Sequence, residues 1–195
     1  MKLSKGTIGI IAAIIIICAW AASAYNGMVG VQESATTAMA NVQSAYQRRA
    51  DLVPNLVETV KGYAKHEEET LKAVVEARAK ATQMQVDLAN ATPEQIKEFQ
   101  KAQSELGGAL GKLIAVGESY PDLKANQNFL DLQHQLEGTE NRINEARNIY
   151  NGEVANYNKS VRAFPTNLIA GMFGFEKAES FQAEEGAQKA PEVKF

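Results

Sequence analysis

An all-α fold, one membrane-crossing helix followed by an elongated antiparallel helical bundle, is what this sequence predicts, and three observations carry the prediction. Gly6 to Ala24 is a run of about nineteen residues without a charge, long enough to cross a hydrocarbon core as one helix. Downstream, apolar or small residues recur every three or four positions over long stretches, the spacing of helix faces turned to a core. The alternating β-branched runs and two-residue turn pairs of hairpins are missing, and aromatic residues are only 7 % of the 195.

The first element is the anchor, residues 1–25 with a short basic amino terminus. Ile8, Ile10, Ile11, Ile14 to Ile17 and Trp20 make it apolar all round, which leaves lipid as its natural solvent. A cleaved signal peptide is the competing reading, since Lys2 and Lys5 form a basic leader and Ala22-Ser23-Ala24 has the small-x-small form of a cleavage site. The apolar stretch exceeds the usual signal core of about 7–15 residues, which favours a retained span. Lys2 and Lys5 precede it and the next basic residue is Arg48, so the charge bias puts the amino terminus in the cytoplasm and the rest outside. Cys18 reads as an inert lipid-facing thiol, and with no second cysteine there is no internal disulfide.

The bundle is expected over residues 26–163. Val31, Ala35, Ala38, Val42, Ala45, Leu52, Leu56, Val60 and Tyr63 form a seam with one polar gap at Arg49. Pro54 inside this seam predicts a kink rather than a stop. A second helix is predicted from about Glu67 to Leu88, with Leu71, Val74, Val75, Arg78 and Ala81 on one side; whether Gly62 to His66 is a turn or a weak point stays open. Thr92 caps a third helix that starts at Pro93, with Gln95 in the reciprocal capping position, and runs to about Gly117. Gly107, Gly108 and Gly111 weaken it unless a neighbour packs closely there. Ser119-Tyr120-Pro121-Asp122 opens the fourth helix, whose seam is Phe129, Leu132, Leu136, Thr139, Ile143, Ala146, Tyr150, Val154, Tyr157 and Val161; Phe164-Pro165 ends it. The first and fourth helices match in length and are expected to lie side by side. Residues 164–180 form an apolar membrane-proximal segment, either in the interface, against another subunit, or folded over the open end of its own bundle. Residues 181–195 read as a flexible polar tail.

Several stretches are recognisable together: Gln47-Arg48-Arg49-Ala50-Asp51-Leu52-Val53-Pro54-Asn55-Leu56-Val57, Val60-Lys61-Gly62-Tyr63-Ala64 with His66-Glu67, Tyr120-Pro121-Asp122-Leu123-Lys124-Ala125-Asn126, and Arg147-Asn148-Ile149-Tyr150-Asn151 with Tyr157-Asn158. In these the chain closely resembles the LemA family of bacterial proteins, and the resemblance covers nearly its whole length. It implies a single-span membrane protein with a helical-bundle domain and no established catalytic residues. It also implies an amino terminus outside the cell, opposite to the lysine bias.

An antiparallel alignment that starts Asn26 beside Arg162 brings Arg49 level with residue 139, so Arg49 is expected to pair with Glu140 or Glu137, with Arg48 and Asp51 completing a polar layer. That layer reads first as a structural register lock and second as a ligand or partner contact. His66 and His134, on different helices without matching carboxylates, fall short of a metal site, and no cofactor is expected. There is no nucleophile motif and no phosphate loop, and a net charge of −3 without a basic stripe points away from nucleic acid. The function expected is therefore a non-enzymatic scaffold in the bacterial inner membrane. It is expected to contact lipid, to self-assemble as a homo-oligomer through coiled-coil-like helices, and to use Leu168, Ile169, Met172 and Phe173 for assembly or membrane contact. The alternative is an adaptor or signalling component that binds another envelope protein, with the tail from Phe181 as docking peptide.

Overall fold

A computed structural model of the protein describes residues 5–84, 86 and 91–181. Among these residues every regular element is a helix: α1 (Lys5–Tyr63), α2 (Glu68–Gln83), α3 (Pro93–Ser119), the single turn α4 (Pro121–Lys124), α5 (Gln127–Arg162) and α6 (Thr166–Phe173). Lys2, Leu88 and the tail beyond Phe181 lie outside the described residues.

The anchor and the first bundle helix are one element. α1 runs 59 residues without a break at the expected boundary between 25 and 26, or roughly 88 Å at 1.5 Å per residue. Gly27 and Gly30 each cost about 1 kcal/mol relative to Ala, too little to end a helix with unbroken sequence on both sides and no proline nearby. Pro54 also lies inside α1. It has no N–H to give to the carbonyl of Ala50, and that carbonyl instead accepts from Arg78 Nε of α2 at 2.8 Å.

The path is up and down. Arg78 against Ala50 and Gln43 Nε2 against the Val86 carbonyl set α1 and the segment of α2 antiparallel. Tyr46 meets Phe99, and Arg49 meets Gln103, so α3 runs parallel to α1. Arg49 against Glu140 and Met28 in one cluster with Tyr157 and Val161 bring α5 back antiparallel along the length of α1. At the far end, Tyr120 donates to Glu67 at 3.2 Å and Asn126 Nδ2 donates to the Tyr63 hydroxyl at 2.9 Å, which ties the two turns together.

Every seam residue expected on the fourth helix from Phe129 to Val161 is buried. That helix begins later than Ser119-Tyr120-Pro121-Asp122 suggested, because the chain closes one turn at Pro121–Lys124 and restarts where the Asn126 side chain accepts from the Phe129 amide. On α1 the expected seam is buried at Ala35, Ala38, Val42, Leu56 and Val60, only half-buried at Val31, Ala45 and Leu52, and is just part of the buried surface. Met39, Tyr46, Ala50 and Val53 are buried too, since α2 and α3 pack on a second side of α1, while Tyr63 at the end of the helix is 44 % exposed. On α2, Val75 is exposed and Val74 and Ala81 are buried; α2 stops at Gln83 rather than near Leu88, and Ala64 to Glu67 form the turn before it. The capping box at Thr92 and Gln95 is present, at 3.3 Å and 2.9 Å.

The glycines expected to admit a neighbouring helix behave differently. A Cβ on Gly107 would stand 3.3 Å from an Arg49 guanidinium nitrogen, whereas Gly108 and Gly111 face open space. The close approach is at Gly117, where a Cβ would come within 2.4 Å of the Phe129 ring. Only glycine lets that ring cross α3 there.

After α6 the chain turns at Gly174, in the left-handed region at φ 73°, and the Phe175 amide donates to Ala170. Residues 175–181 then run back along α5. Asn158 grips Ala178 through both its backbone N–H and C=O, each at 2.9 Å, and Asn151 grips Phe181 in the same way at 2.8 and 3.1 Å. The Tyr150 hydroxyl donates to the Glu179 carbonyl at 2.8 Å. Phe181 was expected to begin the polar tail; it is a core residue, with its ring edge-on to Tyr150 and Phe99 and under the Arg147 guanidinium.

Candidate functional site

Two features stand out from the packed bundle. The first is a collar where the anchor part of α1 meets the bundle. Thr166 staples α6 to the end of α5 by donating to the Ser160 and Ala163 carbonyls, both at 2.8 Å. α6 then presents Ile169 and Ala170 inward, to Met28, Tyr157 and Val161. The four residues expected to act together therefore divide: Ile169 is buried in its own bundle, whereas Leu168, Met172 and Phe173 are 58, 77 and 60 % exposed, and Phe164 is 82 % exposed. Phe173 and Phe175 stack edge-on against Tyr25 of α1, with centroids 4.9 and 5.5 Å away. Tyr25 follows directly on the apolar run, in which Ile8 to Ile17 are exposed and Cys18 is a free, exposed thiol. The collar thus lies at the end of the stretch suited to lipid, with aromatic side chains at the level where a bilayer interface would fall.

The second feature is the polar layer halfway up. Arg49 is 4 % exposed and meets the Glu140 carboxylate at 3.1 Å. It also donates to the Gln103 backbone carbonyl at 2.6 Å and to the Gln103 side chain at 3.2 Å, and lies over the Tyr46 ring at 5.0 Å. Gln103 passes the network on to the Ala81 carbonyl near the end of α2, so this layer joins four helices. Glu137 instead lies 3.8 Å from His134 within α5, Asp51 accepts from Gln47 one turn earlier on α1, and Arg48 is exposed. Those three stand outside the layer because their helical positions point past the α1–α5 seam. Gln103 and Tyr46 were not legible as members: nothing in the spacing of α3 sets one glutamine apart from the others nearby.

Beside this layer, between α3 and α5, lies a groove of about 1030 Å³. Gly108, Gly111 and Ile114 lie on one wall, Gln133 and Glu137 on the other, and Arg147 and Phe181 at one end. Among the described residues no group of three His, Cys, Asp or Glu side chains is placed to hold a metal ion.

The titratable groups with shifted pKa values are structural. Burial raises the Tyr150 and Tyr157 hydroxyls, with Glu179 and Glu176 adding to the shift. Burial followed by the Glu67 contact raises Tyr120, and the hydrogen bond from Lys80, at 2.7 Å, lowers Glu105.

The sequence pattern of the LemA family matches residues 38–195, which takes in the polar layer, the groove and the collar helix. The chain belongs to the LemA family. Curated relatives include Protein LemA of Metamycoplasma hominis, 27 % identical over 82 % of this chain and 69 % of that protein. Magnetosome protein MamQ 2 of Paramagnetospirillum magneticum is 27 % identical over 81 % of this chain and 64 % of its own length. Magnetosome protein MamQ of Magnetospirillum gryphiswaldense is 25 % identical over 80 % and 64 %. The chain thus spans a little under two thirds of the magnetosome relatives. LemA-family membership and the unburied apolar stretch of α1 make this a membrane-associated protein, and none of these family or relative names is that of an enzyme.

Proposed function

We propose that this LemA-family protein is a non-enzymatic, membrane-anchored scaffold that assembles with copies of itself at the membrane surface. The observation that carries the reading is the collar: Leu168, Met172 and Phe173 stay exposed beside Tyr25 although the same short helix buries Ile169. An apolar rim held at a fixed height on the anchor helix is suited to contact lipid headgroups and the rim of a neighbouring copy. The continuous α1 supports it, since a helix unbroken from the apolar run into the bundle holds the bundle at a set angle to the bilayer. The membrane is the bacterial inner membrane, crossed once, with the bundle on the outer side. The Arg49 layer serves as a register lock inside the bundle.

The test is the triple substitution Leu168→Ser, Met172→Ser and Phe173→Ser in the full chain, with Ile169 kept. Each side chain fully buried in a contact contributes about 1.5–3 kcal/mol, so the loss is expected as a shift to smaller species in light scattering of detergent-extracted protein. Helix content by circular dichroism should stay unchanged. The same size distribution for the variant and the parent would remove the assembly role from the collar.

A further inference from the structure

The register of α1 against α5 sets the depth of the last turn of α5 relative to the membrane. Arg49 pairs with Glu140. Counting from that pair along the two antiparallel helices puts Lys159 level with Gly30 and Arg162 level with Gly27, in agreement with the cluster that Met28 shares with Val161. Gly27 and Gly30 stand three and six residues beyond Ala24, where the apolar run ends, about 4.5 and 9 Å along the helix. A headgroup layer is about 5–8 Å thick on each side of the hydrocarbon core, so Arg162 falls within it and Lys159 reaches down to it on its flexible stem. The two side chains share one face of α5 and border a notch of about 470 Å³ with Ala155, Asn158 and Ala163. Among the described residues neither side chain has a hydrogen bond or an ion pair. Neither is needed to close the helix end, because the Lys159 carbonyl takes the Ala163 amide and the Ser160 and Ala163 carbonyls take the Thr166 hydroxyl.

We propose that this notch binds the headgroup of an anionic phospholipid, with Arg162 donating to the phosphate oxygens and Lys159 supplying a second positive charge; the proposal rests on the contact between collar and lipid argued above. Charge decides the class of lipid. Among the described residues the lining of the notch holds two cations and no carboxylate. Glu153, the carboxylate on α5 nearest to Arg162 in sequence, is nine residues away, which at about 100° per residue is half a turn round the helix. Glu176 stands near Tyr157, on the buried face of α5, and its neighbour Lys177 offsets it. A zwitterionic headgroup would bring its own ammonium or choline cation beside Lys159 and Arg162 and lose much of the attraction. A headgroup whose phosphate is its only charge keeps all of it, and the guanidinium fork fits two phosphate oxygens at once. Phe164, 82 % exposed and two residues after Arg162 at the membrane end of α5, offers an apolar edge to the acyl chains of the same lipid.

Native mass spectrometry of the full chain, released from detergent micelles that contain equal amounts of phosphatidylglycerol and phosphatidylcholine, tests the proposal. Phosphatidylglycerol should be retained at least about fivefold over phosphatidylcholine, the gain expected from one basic residue at an anionic membrane surface. Lys159→Gln together with Arg162→Gln should bring the ratio to about one, with circular dichroism unchanged because both side chains are exposed. Arg162→Lys, which keeps the charge and loses the fork, should keep part of the preference. Lys61→Gln with Lys124→Gln, at the far end of the bundle, should leave it as it was. Equal retention of the two lipids by the unmodified chain would overturn the proposal, as would a preference that the Lys159 and Arg162 double variant keeps. Displacement of the bound lipid by millimolar inorganic phosphate would overturn it too, by assigning the notch to a free anion. The same spectra count the copies in each complex, so a preference carried by single chains would keep the site and remove the self-assembly, whereas oligomers without a preference would do the reverse.

Discussion

Arg49→Ala offers the sharpest test of how the bundle is held, because the magnitude can be assembled from the contacts. A pair buried on both sides would cost about 3–5 kcal/mol to break. Glu140, however, has a side chain 49 % exposed against 5 % for Arg49, so water can rehydrate the stranded carboxylate and the ion pair itself contributes about 1 kcal/mol or less. The larger loss lies on the other side of the guanidinium. Truncation strands the buried side-chain oxygen of Gln103 and removes a donor to its carbonyl, at about 1–3 kcal/mol. Lost stacking on Tyr46 adds about 0.5–1 kcal/mol. Against this, Arg49 Nε is buried without an acceptor, and its removal returns about 1 kcal/mol. The net expectation is about 0.5–4 kcal/mol, centred near 2. Lys61→Ala is the comparison, since Lys61 reaches Glu58 only at 3.8 Å with both side chains largely exposed, worth about 0–0.5 kcal/mol. Guanidinium titration of both variants in mild detergent, followed by circular dichroism, gives the difference directly. Equal stabilities for the two variants would show that Arg49 is solvated and that the four-helix layer does not hold the register.

Two further outcomes follow from the same structure. The folded-state pKa of Tyr150 and of Tyr157 lies above the ordinary value of 10.0. The unfolded chain therefore sheds these protons first, so their contribution to stability should be constant below about pH 10 and fall as pH rises beyond it; Tyr150→Phe should flatten that fall in alkaline melts, and an unchanged slope would show that Tyr150 is not the group responsible. For orientation, Gln83→Cys at an exposed position on α2, made with Cys18→Ser, should react with an impermeant maleimide in cells whose inner membrane is intact; labelling only after that membrane is opened would place the bundle in the cytoplasm.

The sequence by itself determined the elements whose signals are local or one-sided. The apolar run of α1 was legible from its composition, the Thr92–Gln95 capping box from its three-residue spacing, and the α5 seam from Phe129 to Val161 because a helix with one buried face prints a period of three to four in the chain. Length matching also brought Arg49 level with residue 139, leaving Glu140 and Glu137 as candidates, and the structure pairs it with Glu140. Only the tertiary structure decided the rest. Met39, Tyr46 and Val53 are buried because α2 and α3 cover a second side of α1, and a helix packed on two sides loses the single-face period. Gln103 became the bridge of the polar layer, and the Ala50 carbonyl left by Pro54 found Arg78, through partners 54 and 28 residues away that no local spacing announces. Ile169 and Phe173 look alike in sequence, yet the direction of a short helix stapled by Thr166 sends one inward and leaves the other at the membrane end. Phe181 read as the start of a polar tail because its hold depends on asparagines that bind main chain, and backbone hydrogen bonds leave no mark on the residues they hold.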